Sequence, residues 1–376
     1  MAISAAGIIF SSLNDNTLSR LTTERTVAAI PFGCRYRLID FALSSLVNAN
    51  ISNINIVANY NYRSLVEHIG SGKDWDLARR AGGIKIISPF LTAYNAGVKM
   101  FSTRLEALIS MKDFIDEIKE NYVVLMDSDN VLNIDISDVI KHHERTGAKI
   151  TIVSKTIDKS FSSKHPRMML SSVAGSLTDV AMSSNYNDKN SELSLNIFVM
   201  STVYLRKIIE EAQAYNLNSL SGFLLKNYKN NNYRTYNYKG YVASVSSFLD
   251  YYRESIKIAT DSEARESLLL KTEAPIFTRV HNSAPVVYKN SASVENSMIA
   301  DECVIEGTVI NSVLFRGVKV AKGAVVKNSV LFSGTYVGNN ASLNCIVTDK
   351  NVHVGDGVAL SGNENIPFYV QKGRKV

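Results

Sequence analysis

The segment NSVLFRGVKV at Asn311–Val320 returns as NSVLFSGTYV at Asn328–Val337, a spacing of 17 residues. Around it short aliphatic residues recur about every six positions: Val294, Ile299, Ile305, Val320, Val326, Val337 and Leu343, with Gly and Asn between them. A six-residue apolar period with three repeats per turn is the signature of a hexapeptide β-helix. An amphipathic helix, with its 3.6-residue period, does not produce it. Each coil would bury its aliphatic residues inside a triangular prism. One face would remain to pack on a preceding domain or on another subunit. Residues 286–376 are therefore expected to form a β-helix domain.

The chain before it reads as alternating strands and helices. Ala5–Phe10, Ile54–Ala58, Ile84–Ile87, Tyr122–Met126, Lys149–Val153 and Leu195–Met200 are buried strands by their apolar runs. Phe41–Ala49, Ser64–Ile69, Thr103–Glu117, Asp138–Arg145 (ended by Gly147), Val203–Gln213 and Phe248–Ala259 have helical spacing. The alternation implies a parallel sheet wound right-handedly, with residues 1–250 as one α/β domain and 251–285 as a linker helix and extended segment. Residues 154–193, rich in Ser, Asn and Asp, read as loops around weak strands. The stretch YKNNNYRTYNYKGY at Tyr228–Tyr241 is expected as an exposed strand of β-favouring tyrosines rather than a stacking platform.

The bulk numbers exclude several classes. A chain of 376 residues is long enough for two full cores, and 45% apolar with 20% charged residues is ordinary for a globular protein. The formal charge of +6 is spread thinly, with no run of five basic residues, so no nucleic acid is expected as a partner. The tail Lys372, Arg374, Lys375 reads as a solvated end. Cys34, Cys303 and Cys345 have no metal-like spacing and are expected as reduced thiols. No stretch has the length of a membrane span and no secretory signal is recognisable, so no membrane is expected and the localisation is read as cytoplasmic.

Residues 3–40 carry the functional question. A buried strand, a polar loop and a basic segment leading to a helix form the layout in which an α/β domain holds a nucleotide's phosphates. Such a loop needs glycines so that backbone N–H groups can approach the anion. There are none between Gly7 and Gly33.

The segment PFGCRYRLIDFALSSL at Pro31–Leu46 resembles the P-F-G-G-K-[FY]-R-[IL]-I-D-F-x-L-S-N motif of the glucose-1-phosphate adenylyltransferase (ADP-glucose pyrophosphorylase) family. Asn48–Ile51, Tyr122–Asp135, His143–Lys149 and Gly240–Tyr252 extend the resemblance, which is weak between 155 and 193. The implied fold is α/β: a Rossmann-like, glycosyltransferase-A-like nucleotidyltransferase domain followed by a C-terminal left-handed parallel β-helix. The implied reaction makes ADP-glucose and pyrophosphate from ATP and glucose 1-phosphate with Mg²⁺, for glycogen synthesis. It is an in-line phosphoryl transfer that must neutralise a triphosphate and hold a metal.

Residue by residue, the resemblance points to lost chemistry. Aligned back from Leu21-Thr22, the family's loop glycines fall on Ser12, Leu13 and Asp15, and its arginine on Thr17. Its lysine in R-A-K-P falls on Val27, with Arg25 retained. A carboxylate at Asp15 would repel phosphate by about 1 kcal/mol or more at a few ångströms. The first metal aspartate survives as Asp129, a remnant metal ligand. The second falls on Ser244, and one carboxylate alone makes a weak Mg²⁺ site. The sugar-contacting G-T-A-D-A stretch appears as Thr103–Ala107, and the E-K-P motif is not recognisable before Leu195.

The implied protein is the D-type regulatory, non-catalytic subunit of a heterotetramer. Its partner would be a catalytic subunit that uses ATP and Mg²⁺, so no cofactor is expected on this chain, and it would form a homo-oligomer when alone. Arg35 and Arg37 are candidates for a sugar-phosphate effector, two guanidiniums suiting an anion; the alternative is that they pair with acids such as Asp40. Asp127, Asp129 and Asp135 are either a metal remnant or solvated acids and a helix cap. Three further readings stand beside this one. The first is an active nucleotidyltransferase with a divergent loop. The second is an acyltransferase using His281 or His353, and the third is a scaffold that binds no ligand. Trp75 is read near the rim of the presumed pocket.

Overall fold

The computed structural model describes residues 3–11, 13, 15–78, 82–88, 100–157, 161–186 and 191–376, with only the backbone at 15, 16, 161–165, 185 and 186. The first domain runs β1 (Ala5–Phe10), α1 (Ser19–Thr22), β2 (Pro31–Phe32), β3 (Tyr36–Arg37), α2 (Leu38–Asn48), β4 (Asn53–Val57), α3 (Arg63–Ile69), β5 (Gly83–Ile87), α4 (Arg104–Ser110), α5 (Lys112–Asp116), β6 (Tyr122–Asp127), β7 (Asn130–Leu132) and α6 (Ile136–Thr146). It continues with β8 (Ile150–Thr156), β9 (Phe161–Val173), β10 (Ser176–Tyr186), β11 (Glu192–Ser201), α7 (Thr202–Ala214), α8 (Leu220–Asn227), β12 (Tyr233–Asn237), β13 (Val242–Ser244), α9 (Phe248–Thr260) and α10 (Ser262–Leu269).

Among the described residues nine strands form one sheet in the order β5-β4-β1-β6-β11-β8-β12-β10-β9. Its first half is wholly parallel as expected, β4 pairing with β5 and β1, and β1 with β6, whereas in the second half only β8 and β12 pair in parallel. β11 then runs antiparallel to both β6 and β8. β1 is buried along its whole length, so side chains on both sheet faces must be apolar. Gly7 lets α2 close on it: a Cβ there would lie 2.6 Å from Leu46 Cδ1. The run 103–117 is two helices rather than one, broken at Met111.

Two sequence expectations are corrected. Residues 154–193 hold long strands: β9 and β10 form an antiparallel hairpin in which Val173 faces Ser176 across Ala174 and Gly175, both at positive φ. Ser and Asn are poor strand formers singly, but Met168, Leu170, Leu177 and Val180 are buried in the main core and hold the ribbon down. The tyrosine-rich segment is likewise not exposed. β12 lies inside the sheet between β8 and β10, with Tyr233 buried. Tyr233 Oη lies 2.9 Å from Tyr204 Oη, and Tyr238 donates to the Asn133 carbonyl at 3.0 Å. These rings are fixed inside the fold and offer no stacking platform.

From Val287 to Val370 fifteen short strands stack as three parallel five-stranded sheets, the faces of the prism. This is the left-handed β-helix of the hexapeptide kind. The copied N-S-V-L-F segment is a corner. Asn311 and Asn328 take positive φ, and Asn311 Nδ2 donates to Asn328 Oδ1 at 3.2 Å. Ser312 Oγ accepts the N–H of Ser329 one coil on, and Ser329 Oγ accepts that of Ile346, both at 3.1 Å. Leu314 and Leu331 point into the prism, while Val313, Val330, Phe315 and Phe332 point out into a cluster shared with the first domain. Of the two destinations open for the free face, it packs on the first domain. Tyr251 of α9 meets Phe332 edge-on at 6.2 Å and donates to the Pro31 carbonyl, and Tyr252 donates to the Asn328 carbonyl, both at 2.8 Å. Position 250 therefore falls inside α9, which is part of a core common to both domains. The C-terminal tail is solvent-exposed, as read for Lys372, Arg374 and Lys375, and is also tied down: Val376 N donates to the His353 carbonyl at 3.0 Å, and Lys372 pairs with Glu24.

Candidate functional site

β1 and β6 end side by side, Phe10 facing Asp127. The loops that follow are tied together at once. Ser128 N and Oγ donate to the Phe10 carbonyl at 3.3 and 3.2 Å, and Ala28 N donates to the Ser11 carbonyl at 3.1 Å. Between Ser11, Leu13, Val27 and Asp127–Asp129 remains a crevice of about 10 Å³. That is about the room for one water. Val27 is buried in the interdomain core, so the position that aligns with a phosphate-binding lysine is a packing residue. Ser12 and the side chain of Asp15 lie outside the described residues.

Asp127 and Asp129 are both buried, which corrects the reading of solvated acids. Asp127 is gripped by Arg104, whose Nε donates to Oδ1 at 2.8 Å and whose Nη2 reaches Oδ2. Burial opposes the cation, but the charge and hydrogen bond of Asp127 together with the charge of Asp129 outweigh it and raise Arg104 above its ordinary value. Asp135 is the N-cap of α6, accepting from Ser137 N at 2.8 Å and Asp138 N at 3.3 Å. The Thr103–Ala107 stretch is the start of α4: Thr103 caps it, and Ser102 N and Oγ donate to Glu106 at 2.8 and 2.6 Å.

Asp129 and Ser244, far apart in sequence, are brought together. Ser244 faces Asn130 across the β7–β13 ladder, and Val245 N donates to the Asp129 carbonyl at 2.8 Å. Ser244 Oγ donates to Asn130 Oδ1 at 2.5 Å. Arg167 Nη2, from β9, donates to Ser244 Oγ at 3.2 Å and Asn130 Oδ1 at 3.3 Å. Thr17 does not line the crevice that Val27 lines. It lines the neighbouring cleft, with Ser244 and Arg167.

These residues do not fit a divalent cation. The neighbouring carboxylate Asp127 carries Arg104, Asp129 itself accepts the Asn130 amide at 3.2 Å, and a second guanidinium stands at Ser244, where a carboxylate would be needed. Among the described residues no three His, Cys, Asp or Glu side chains come together as a metal site would require. Arg104 and Arg167 are the functional residues that sequence reading missed. Arg104 was in view inside Thr103–Ala107, without a sign of its partner. Arg167 lay in the stretch read as loops, where nothing indicated its direction.

Arg35 and Arg37, beside and on β3 respectively, have different surroundings. Arg37 Nη1 donates to the carbonyl and Oγ of Ser64 at 2.6 and 2.9 Å. Only its backbone N–H reaches Asp40, whose other oxygen lies 2.6 Å from His68 Nε2. Arg35 is exposed over Tyr36, with Arg316 of the β-helix nearby. Where the domains meet, Arg25 is paired with Asp349 and Lys372 with Glu24, but Arg37 and Lys350 have no carboxylate partner among the described residues. Burial and the charges of Arg37 and Arg25 push Lys350 down to about 8. A half-buried pair of cations under mutual repulsion is an arrangement that an anion relieves.

The other sequence candidates play structural parts. Trp75 is not at a pocket rim but buried in the core, edge-on to His68 at 5.7 Å. His353 stacks on Tyr336 at 4.7 Å. The three cysteines are buried and free, and burial raises Cys34 to about 12 and Cys303 to about 11, which disfavours the reactive thiolate at these two positions.

Fold and site together define a nucleotidyltransferase-type domain with a hexapeptide β-helix behind it. The Nucleotidyl transferase family model matches residues 7–164, and the GlmU-like, C-terminal hexapeptide model matches 282–365. Glycogen biosynthesis protein GlgD of Bacillus subtilis (strain 168) is 31% identical over 85% of this chain and 82% of its own length. The GlgD protein of Geobacillus stearothermophilus is 36% identical over 98% of this chain and 96% of its own length. Glucose-1-phosphate adenylyltransferase of Mycoplasma mobile is 27% identical over 82% and 81%. The chain belongs to the glucose-1-phosphate adenylyltransferase family, in the company of its GlgD proteins. No helix among the described residues is long and apolar enough to cross a membrane.

Proposed function

We propose that this chain serves glycogen biosynthesis as a regulatory, catalytically silent subunit that assembles with a catalytic glucose-1-phosphate adenylyltransferase subunit. The names of its relatives support the pathway. The silence is supported above all by the two guanidiniums at the site, Arg104 on Asp127 and Arg167 on Ser244. In-line transfer to a triphosphate needs a cradle for the phosphates and a metal to neutralise charge in the transition state. Here the crevice beside β1 has room for about one water, Arg167 stands on Ser244, the second metal position, and Arg104 occupies Asp127 beside the first. ATP and Mg²⁺ are used by the catalytic partner.

In this reading the Arg37–Lys350 seam receives a small anionic effector such as a sugar phosphate. Its position between the domains lets binding bias how the β-helix sits on the nucleotidyltransferase domain. Sulfate is a suitable probe, because its own charge is constant near neutrality. Lys350 loses its proton near pH 8. Sulfate affinity should therefore be highest below pH 8 and fall on going to pH 9. Lys350→Met should weaken binding and flatten that pH dependence. An affinity that is independent of pH in the unmodified chain would remove Lys350 from the site.

The reading as a whole is tested by mixing. The chain should co-purify with the catalytic subunit of the same organism and change its rate or its effector response. A partner that neither binds nor responds would refute it.

A further inference from the structure

We propose that the cleft between the sheet end, the start of α9 and the last β-helix coil is a second anion site, which takes a small phosphate ester on Arg20, Arg167 and Arg253. The cleft has a volume of about 670 Å³. That is within the size range of small-molecule sites, roughly 300–1,000 Å³. Its three arginines come from three separate elements, α1, β9 and α9. None of them forms an ion pair with a carboxylate among the described residues.

Their present partners are neutral and exchangeable. Arg253 Nη2 donates to Asn365 Oδ1 at 2.5 Å, Arg167 Nη2 donates to Ser244 and Asn130, and Arg20 lies over the Phe248 ring at 5.1 Å. The hydrogen bonds of Arg167 and Arg253 run through Nη2 alone. Each guanidinium has five N–H donors, set in a fork that matches phosphate oxygens.

Two acids also line the cleft, and both are engaged. Asp250 accepts the hydroxyls of Ser246 and Ser247 at 2.7 and 2.8 Å. Glu254 accepts the hydroxyl of Tyr241, and burial raises its carboxyl above the ordinary value, which favours the neutral form. Three guanidiniums thus face two carboxylates, and the lining carries a net positive charge even with both acids ionised. At its mouth Pro367 and the 74% exposed Ile366 supply an apolar ledge for the organic part of the ester. The site is separate from the Arg37–Lys350 seam and shares none of its residues.

Calorimetric titration of the full chain in EDTA, with glucose 6-phosphate and with uridine monophosphate, tests this. At least one probe should bind. Arg20→Ala and Arg253→Ala should each weaken it about tenfold or more, the worth of a charge-assisted hydrogen bond. Lys350→Met should leave it unchanged. The preferred probe tells a sugar phosphate from a nucleotide. Both arginines are exposed, so the variants should keep the parent's melting temperature. Three results would each overturn the proposal: neither probe binding at millimolar concentration, full affinity in both arginine variants, or loss of binding in Lys350→Met. The last would place the probe at the seam instead.

Discussion

Arg25→Ala is expected to destabilise the chain by about 3 kcal/mol at pH 7, the low end of the 3–5 kcal/mol for breaking a buried ion pair. Arg25 and Asp349 are 4% and 6% exposed in their side chains and meet through two bonds, Nη1 to Oδ2 at 3.0 Å and Nη2 to Oδ1 at 2.7 Å. The variant leaves a carboxylate inside an interdomain core. Its remaining donors, Tyr369 Oη at 2.7 Å and Lys350 N at 2.6 Å, place the expected loss at the low end. Burial pushes the Asp349 carboxyl up, but the hydrogen bond and charge of Arg25 outweigh it and hold it below its ordinary 3.8. The stabilisation is therefore complete above that value and is lost as pH falls through the lower, folded one. Urea melts of parent and variant should differ fully at pH 7 and converge under acid. Equal stability at pH 7 would mean that the pair does not join the domains.

Rebuilding the active site should succeed only when the resident guanidiniums are removed. Thr17→Arg, Val27→Lys and Ser244→Asp, with glycines restored at Ser12, Leu13 and Asp15, replace the groups that the family resemblance assigns to phosphate and metal. With Arg104 and Arg167 in place they should give no turnover of ATP and glucose 1-phosphate. One arginine still neutralises Asp127, and the other would pair with the carboxylate that Ser244→Asp introduces. Adding Arg104→Ala and Arg167→Gly should raise the rate by on the order of 10² or more, the usual worth of one preorganised charge-stabilising group. Equal rates with and without these two changes would show that the arginines do not silence the site.

Much of the architecture was legible because it is local and periodic. The N-S-V-L-F copy is a corner of the prism, with Asn at positive φ and Ser bonded to the next coil. Each turn of the β-helix repeats the same solution, so the sequence repeats too. β1 and β6 were legible as unbroken apolar runs, because they are covered on both faces. The departures from the family's pattern at Thr17, Val27 and Ser244 were also readable, since a resemblance reports what differs. It does not report what has moved in. Arg104 and Arg167 became meaningful only when α4 and β9 aimed them at Asp127 and Ser244, a relation between distant segments. β9 itself was hidden by its Ser-rich composition. Its strand state comes from pairing with β10 and from Met168 and Leu170 in the core, which no local pattern reveals. The same holds for β12, whose tyrosines look exposed in sequence and are enclosed by neighbouring strands.

The most direct test of the silent-subunit account is ADP-glucose synthesis from ATP and glucose 1-phosphate with Mg²⁺, measured for the purified chain alone, for the catalytic subunit alone and for the two together. The account expects no turnover above background from this chain, and a mixture whose rate or effector response departs from that of the catalytic subunit alone. Robust turnover by this chain by itself would contradict it.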